Sequence, residues 1–313
     1  MGRAVGKNKR ILIYIEGILL LTLTIFIFIN LYISFLISNN HLYRNYKINT
    51  YVSKFDELNK KQKELESIKN NINTYKNIDD KIENIKGEFF KYAKLLEEKV
   101  SNNLLDKKIA YITFDDGPYY NTYKVLEILD KYDIKATFFT TSINGENCYD
   151  NRSQNCMSLY KEYIKKGHTI ANHTYTHAIW KGLYDSEKSF IRAVKMQENL
   201  VKEKTDGYIT NIVRFPGGSN TSRSLKYNII EELENNNYGW VDWSAMDGDG
   251  GNLSSEDEAW KTFKTSIDDK IEVILLHDYS RITTNLLPSF IEYLEDNNYI
   301  LLPLFYDSIV INK

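Results

Sequence analysis

From about residue 107 to the C-terminus, short runs of β-branched and aromatic residues alternate with longer stretches of helical period, and this alternation restricts the fold more than any other feature. The expected strands are 109–114, 136–141, 169–172, 212–215, 239–243, 272–276 and 300–304. Between them fall expected helices at 122–132, 157–166, 187–203, 224–235, 256–268 and 286–296. Strands that alternate with helices imply a parallel sheet, since a helical crossover returns the chain to the same edge. The expected fold class is α/β, a doubly wound sheet or a barrel.

The N-terminal third has a different texture. Residues 17–37, GILLLTLTIFIFINLYISFLI, are apolar over about the thickness of a bilayer, and Arg3, Lys7, Lys9 and Arg10 precede them. The expectation is a cytoplasmic basic tail over 1–10 and one transmembrane signal anchor over 11–38, with the remainder outside the cell membrane. A cleaved signal peptide fits less well, because the apolar run is long and no small-residue cleavage site follows it. Between 54 and 100, apolar residues recur in steps of three and four, among them Leu65, Ile68, Ile72, Ile82, Phe89 and Leu96. Such a narrow seam predicts a helical or coiled-coil spacer over 39–104, through which the chain could also self-associate. The globular domain is expected over 105–313.

Forty basic residues against forty-two acidic ones leave a net charge of -2, which gives no reason to expect nucleic acid as a partner. Cys148 and Cys156, the two cysteines, are close enough to close a loop disulfide in an oxidising compartment; their spacing leaves pairing open.

The residues able to do chemistry follow the C-terminal ends of the expected strands. Asp115 and Asp116 follow the first, His173 and His177 the third, Arg214 and Gly217 the fourth. Asp247 and Asp249 follow the fifth, and His277 the sixth. Loops after parallel strands converge on one mouth, so these groups are expected to share a cavity. His173 and His177, four apart, lie on one face if the segment makes a helical turn. Two imidazoles and a carboxylate suit zinc, or another late divalent ion such as cobalt, manganese, nickel or iron, with a position left for water. The adjacent carboxylates could divide two tasks, one binding the cation and the other taking a proton from water.

TFDDGP at 113–118, HTYTH at 173–177, RFPGG at 214–218, DWSAMDGD at 242–249 and LLHD at 275–278 together resemble the ordered motifs of the polysaccharide deacetylases, the NodB-homology domain or carbohydrate esterase family four. The resemblance implies a distorted (β/α)7-type barrel. It implies Asp115 as general base, Asp116, His173 and His177 as metal ligands, and Arg214 as the group that orients Asp115. It further implies His277 as general acid, the Gly217 N–H as oxyanion donor and Leu275 as a wall of the acetyl pocket. Asp249 is the implied partner of His277, with Asp247 the alternative. The fourth motif departs from the family, where tryptophan often follows the aspartate and here Gly250 does. Without the indole one wall of the pocket is missing, and a more open groove is expected on that side.

The implied reaction is metal-dependent hydrolysis of N-acetyl groups on an extracellular polysaccharide. The anchor and spacer point to cell-wall peptidoglycan GlcNAc. Poly-N-acetylglucosamine, MurNAc, chitin and O-acetyl xylan are the alternatives, and a catalytically silent wall-binding scaffold is the reading from another class.

Overall fold

The computed structural model describes residues 76–142 and 156–313, together with Glu57 and Lys60. Residues Leu65–Lys313 form one compact unit, distinct from Met1–Glu64. The described chain runs α1 (Lys76–Ser101), β1 (Lys108–Asp115), α2 (Thr122–Lys131), β2 (Thr137–Thr140), α3 (Leu159–Lys165), β3 (Thr169–Asn172) and α4 (Glu187–Lys204). It continues through β4 (Ile212–Val213), α5 (Lys226–Asn235), β5 (Gly239–Trp240), β6 (Ala245–Met246), α6 (Glu256–Ser266), β7 (Ile271–His277), α7 (Arg281–Asp296) and β8 (Tyr299–Leu301). The span expected at 11–38 lies outside the described residues. Among the described residues no helix is long and apolar enough to cross a membrane.

The strands form one parallel, curled sheet in the order β5-β4-β3-β2-β1-β7-β6, with β8 added beside β1. The α/β class and parallel sheet are as expected, with one more strand than the sequence suggested. The expected strand 239–243 stops at Trp240, and a separate strand, β6, follows at Ala245–Met246. Ala245 and Met246 stand between Ser244 and Asp247, so no apolar run marks this strand in the sequence. Among the described residues no ladder joins β5 to β6, so the sheet curls as a half-barrel without closing there. Helix α7 begins five residues before the expected 286 and runs through Pro288, with the Ser280 hydroxyl accepting from the Thr283 N–H at its N-terminus.

Alternation along β1 explains both faces of the sheet. Ala110, Ile112 and Phe114 point outward and join the core with Phe138 of β2, Leu276 of β7 and the inner faces of α2, α6 and α7. Phe263 of α6 stacks on Phe290 of α7 at 4.0 Å between ring centroids, sealing that layer. The intervening residues Tyr111, Thr113 and Asp115 therefore share the opposite, interior face. A second core joins α4 and α5 to Val213 and Phe215.

Helix α1 buries Phe89, Ala93, Leu96 and Val100 against this unit. Its Glu97 is also buried, 1% exposed, and accepts hydrogen bonds from the Tyr111 hydroxyl and, at 2.9 Å, from the Ile309 N–H. Burial raises the pKa of Glu97 while these donors oppose the rise. Asn103 and Asp106 bracket a short link into β1. Replacing Glu97 by alanine leaves the buried Tyr111 hydroxyl and the part-buried Ile309 N–H without this acceptor, at a cost of about 1–3 kcal/mol. Urea unfolding should show a lower midpoint at unchanged slope for Glu97→Ala; an unmoved midpoint would deny α1 a share in the stability of the unit.

Candidate active site

Parallel pairing places Asp115 level with His277 on the neighbouring strand, and Thr113 level with Leu275. All four side chains therefore rise from adjacent strands on the interior face. Asp116 would point to the other face if β1 continued. Instead its φ of 70° turns the chain, so that both neighbouring carboxylates face the same hollow. Phe139, level with Asp115 on β2, contributes its ring to the same face.

The two motif histidines meet without a helix. Residues 173–178 form a bend in which Thr174 (φ 64°) and His177 (φ 50°) are left-handed, and the Thr174 N–H donates to Asn172 Oδ1 at 2.9 Å. This corrects the helical-turn expectation: an i, i+4 spacing fits either conformation, and the left-handed turns bring the rings to 5.0 Å between centroids.

His173 Nδ1–H donates to the Arg214 carbonyl at 2.9 Å, an oxygen that can only accept, so Nε2 holds a lone pair. That lone pair lies 3.6 Å from Asp116 Oδ1, and His177 Nε2 lies 3.4 Å from the same oxygen. A lone pair on His173 facing a carboxylate oxygen at this distance is repelled unless a cation lies between them. Donors each about 2.0–2.1 Å from a tetrahedral ion stand about 3.4 Å apart. One donor atom from each of Asp116, His173 and His177 falls within 4.8 Å of the others, so the set fits a divalent ion. Burial first, and His177 second, push the His173 pKa down to about 3, keeping the ring neutral as a ligand must be. The other acidic cluster among the described residues, around Glu272, is satisfied internally: Glu272 accepts from the Asp268 and Asp269 N–H groups and from Ser244.

Arg214 is fully buried. Its Nη1 donates to Asp115 Oδ1 at 2.8 Å and to Thr113 Oγ1 at 2.7 Å, Nε donates to the Val241 carbonyl at 3.2 Å, and Nη2 to the Asp242 carbonyl at 3.2 Å. The guanidinium carbon lies 4.0 Å above the Phe139 ring centroid. Burial raises the Asp115 pKa, and the Arg214 charge opposes it most strongly.

On the far side, His277 Nδ1–H donates to Asp249 Oδ1 at 2.7 Å, and the His277 N–H donates to Oδ2 at 2.8 Å. Asp249, rather than Asp247, is thus in contact with the imidazole. Burial alone would lower the His277 pKa, but the hydrogen bond and charge of Asp249, with Asp116 and Asp115 behind, carry it up to about 9. Gly250 is exposed and lies against this ring. A Cβ there would sit 3.0 Å from His277 Cε1, so the imidazole occupies the space that a side-chain-bearing residue would claim.

Gly217 follows Pro216 with φ 71°, and a Cβ would meet Thr221 and Ile179. Leu275 is buried one pleat below His277. Sequence reasoning missed Thr113 and Thr283, whose hydroxyls tie the charged groups together, and Asp242, which accepts from the Ser219 N–H at 3.0 Å beneath Arg214. A lone threonine carries no periodic or spacing signal. Thr113, the first letter of TFDDGP, was at least inside a motif. Cys156 is buried and disulfide-bonded, and Cys148, the other cysteine of the sequence, lies outside the described residues.

Residues 102–234 match the polysaccharide deacetylase family. YheN, a putative polysaccharide deacetylase of Bacillus subtilis, is 30% identical over 206 residues, which are 64% of this chain and 68% of that protein. A peptidoglycan-N-acetylglucosamine deacetylase of Bacillus cereus is 26% identical over 201 residues, 62% of this chain and 68% of its own. The solved catalytic domain of a peptidoglycan N-acetylglucosamine deacetylase from Eubacterium rectale aligns with a TM-score of 0.59 at 28% identity, over 66% of this chain and 93% of that one.

The donor set predicts about one bound divalent ion per chain, measurable by elemental analysis after dialysis. His173→Ala and Asp116→Ala should each weaken binding by more than the roughly 10–100-fold typical of losing an outer partner. Full occupancy in both variants would remove the cluster from consideration.

Proposed function

Because the chain belongs to the polysaccharide deacetylase family, and is therefore a hydrolase of N-acetyl amide groups, we propose that it deacetylates an extracellular polysaccharide, with peptidoglycan GlcNAc the first substrate to test. One observation carries the reading: Asp115 and His277 are level on neighbouring strands, and the donors of Asp116, His173 and His177 gather beside them. The resemblance to peptidoglycan deacetylases supports the polymer, as does an apolar run over 11–38 that would hold the domain at the outer membrane face beneath a wall. Phe89 and Leu96 of the seam pack against the domain, so only its earlier part, with Leu65, Ile68 and Ile72, would space the domain from the membrane and could pair two chains.

In this reading Asp116, His173 and His177 hold a divalent ion, zinc before cobalt, manganese, nickel or iron. When bound, it would acidify water and draw charge from the acetyl carbonyl. Asp115 is the general base. Its carboxyl, lifted by burial and aimed by Arg214, takes a proton as the water oxygen attacks the carbonyl carbon. The Gly217 N–H is the donor assigned to the oxyanion, and Leu275 the wall against the acetyl methyl group. His277, held protonated by Asp249, gives its proton to the departing nitrogen as the carbon–nitrogen bond breaks. Acetate and a free amine remain.

Acetate release by the metal-loaded full-length protein from native peptidoglycan, chitin oligomers and O-acetyl xylan ranks the substrates. Asp116→Ala and chelation should each abolish it; metal binding without release from any of the three would defeat the reading. Asp249→Asn should move the alkaline limb of the kcat–pH profile towards neutrality. An imidazole whose pKa is raised to about 9 keeps its proton at pH 7, and without the carboxylate the burial that remains favours the neutral ring. An unmoved limb would separate His277 from the proton donor.

A further inference from the structure

Behind His277 lies a carboxylate that neither the metal cluster nor the proposed acid and base uses. Asp247 is wholly buried at the end of β6, and the turn through Gly248 brings the Asp249 N–H back to donate to Asp247 Oδ1 at 3.1 Å. The other oxygen, Oδ2, lies 2.7 Å from Thr283 Oγ1 of α7, and the same hydroxyl lies 2.7 Å from Asp249 Oδ2. Ser280 Oγ, 2.8 Å away, is its remaining neighbour and already accepts the Thr283 N–H at 3.2 Å.

A hydroxyl has one proton and can donate to one carboxylate only. Whichever carboxylate receives it, the other oxygen faces a lone pair at 2.7 Å and needs a proton of its own. The donors decide which. Asp249 accepts from both the His277 N–H and Nδ1–H, and these bonds favour its anion. Asp247 accepts one backbone N–H and lies deeper. The groups facing Asp247 are Asp249 from its own loop, the Thr283 hydroxyl from α7 and, beyond Asp249, the His277 imidazole from β7; α6 brings only the Thr262 side chain near Gly248.

We propose that Asp247 is a positioning residue that carries a proton in the folded protein, donating through Thr283 to Asp249, so that Asp249 is the single anion against His277. Taking His277 as the acid rests on the deacetylase reading; the proton on Asp247 does not. Burial, and then the Asp249 charge, raise the Asp247 pKa to about 7, in agreement with the hydrogen-bond inventory.

Two measurements on the metal-loaded full-length protein test this. The first is the melting temperature of wild type and Asp247→Asn between about pH 5.5 and pH 8.5. A carboxyl whose folded pKa is raised contributes stability that is fully present below its unfolded pKa of about 4 and is lost as pH rises from there to about 7. Asparagine is neutral throughout and keeps both an acceptor and a donor. The melting temperature of Asp247→Asn minus that of wild type should therefore climb from about pH 5.5 to about pH 7 and level off above it. A flat or falling difference would mean that Asp247 is ionised throughout, and would overturn the proposal. The second is kcat at about pH 6, where Asp247→Ala and Thr283→Val should each lose about tenfold with KM unmoved, while Asp247→Asn recovers most of the loss. Full kcat in Thr283→Val would remove the chain of hydrogen bonds from the reaction. If wild type itself releases no acetate, the deacetylase reading fails alone, because the melting difference still decides where the proton lies.

Discussion

The buried guanidinium of Arg214 is the interaction on which the interior depends. With no exposed surface, it meets Asp115 and Thr113 of β1, the carbonyls of Val241 and Asp242 after β5, and the face of Phe139 on β2. A charge taken so fully from water is tolerable only with a paired anion and satisfied donors, so these partners have little freedom to move independently. Its own carbonyl accepts the Nδ1–H of His173. One residue thus aims the side chain of the proposed base and fixes the tautomer of a candidate metal ligand.

The opposite side is organised around hydroxyls. Thr283, Ser280 and Asp249 bind α7 to the loop after β6, and His277 leans on that assembly with Tyr279 beside it, ring centroids 5.0 Å apart. The two halves of the site therefore differ in kind. A cation–carboxylate pair anchors one, and a network of short polar side chains shared between a loop and a helix N-terminus holds the other.

How much of this was readable in the sequence depends on the range of each signal. The parallel α/β sheet was legible, because residues such as Ile112, Phe114, Ile274 and Leu276 carry apolar periodicity along whole strands. So was the gathering of Asp115, Asp116, His173, Arg214 and His277, since the loops after the strands of a barrel-like sheet meet at one mouth. Strand β6 was not, because Ala245 and Met246 lie between Ser244 and Asp247 with no apolar run to mark them. The left-handed turns at Thr174 and His177 were hidden because four-residue spacing does not distinguish a helical turn from a folded bend. Gly250 lies against the His277 ring, a relation between strands that no local pattern encodes.

The level pairing of Asp115 with His277 has a consequence for how such a protein can vary. Adjacent strands stand about 4.8 Å apart whatever loops they carry, so the separation between these two groups is a property of the backbone ladder. The loops that meet a polymer can lengthen, shorten or change charge without altering it. A lineage could therefore explore new substrates through its loops while the spacing of the reacting groups stays inherited.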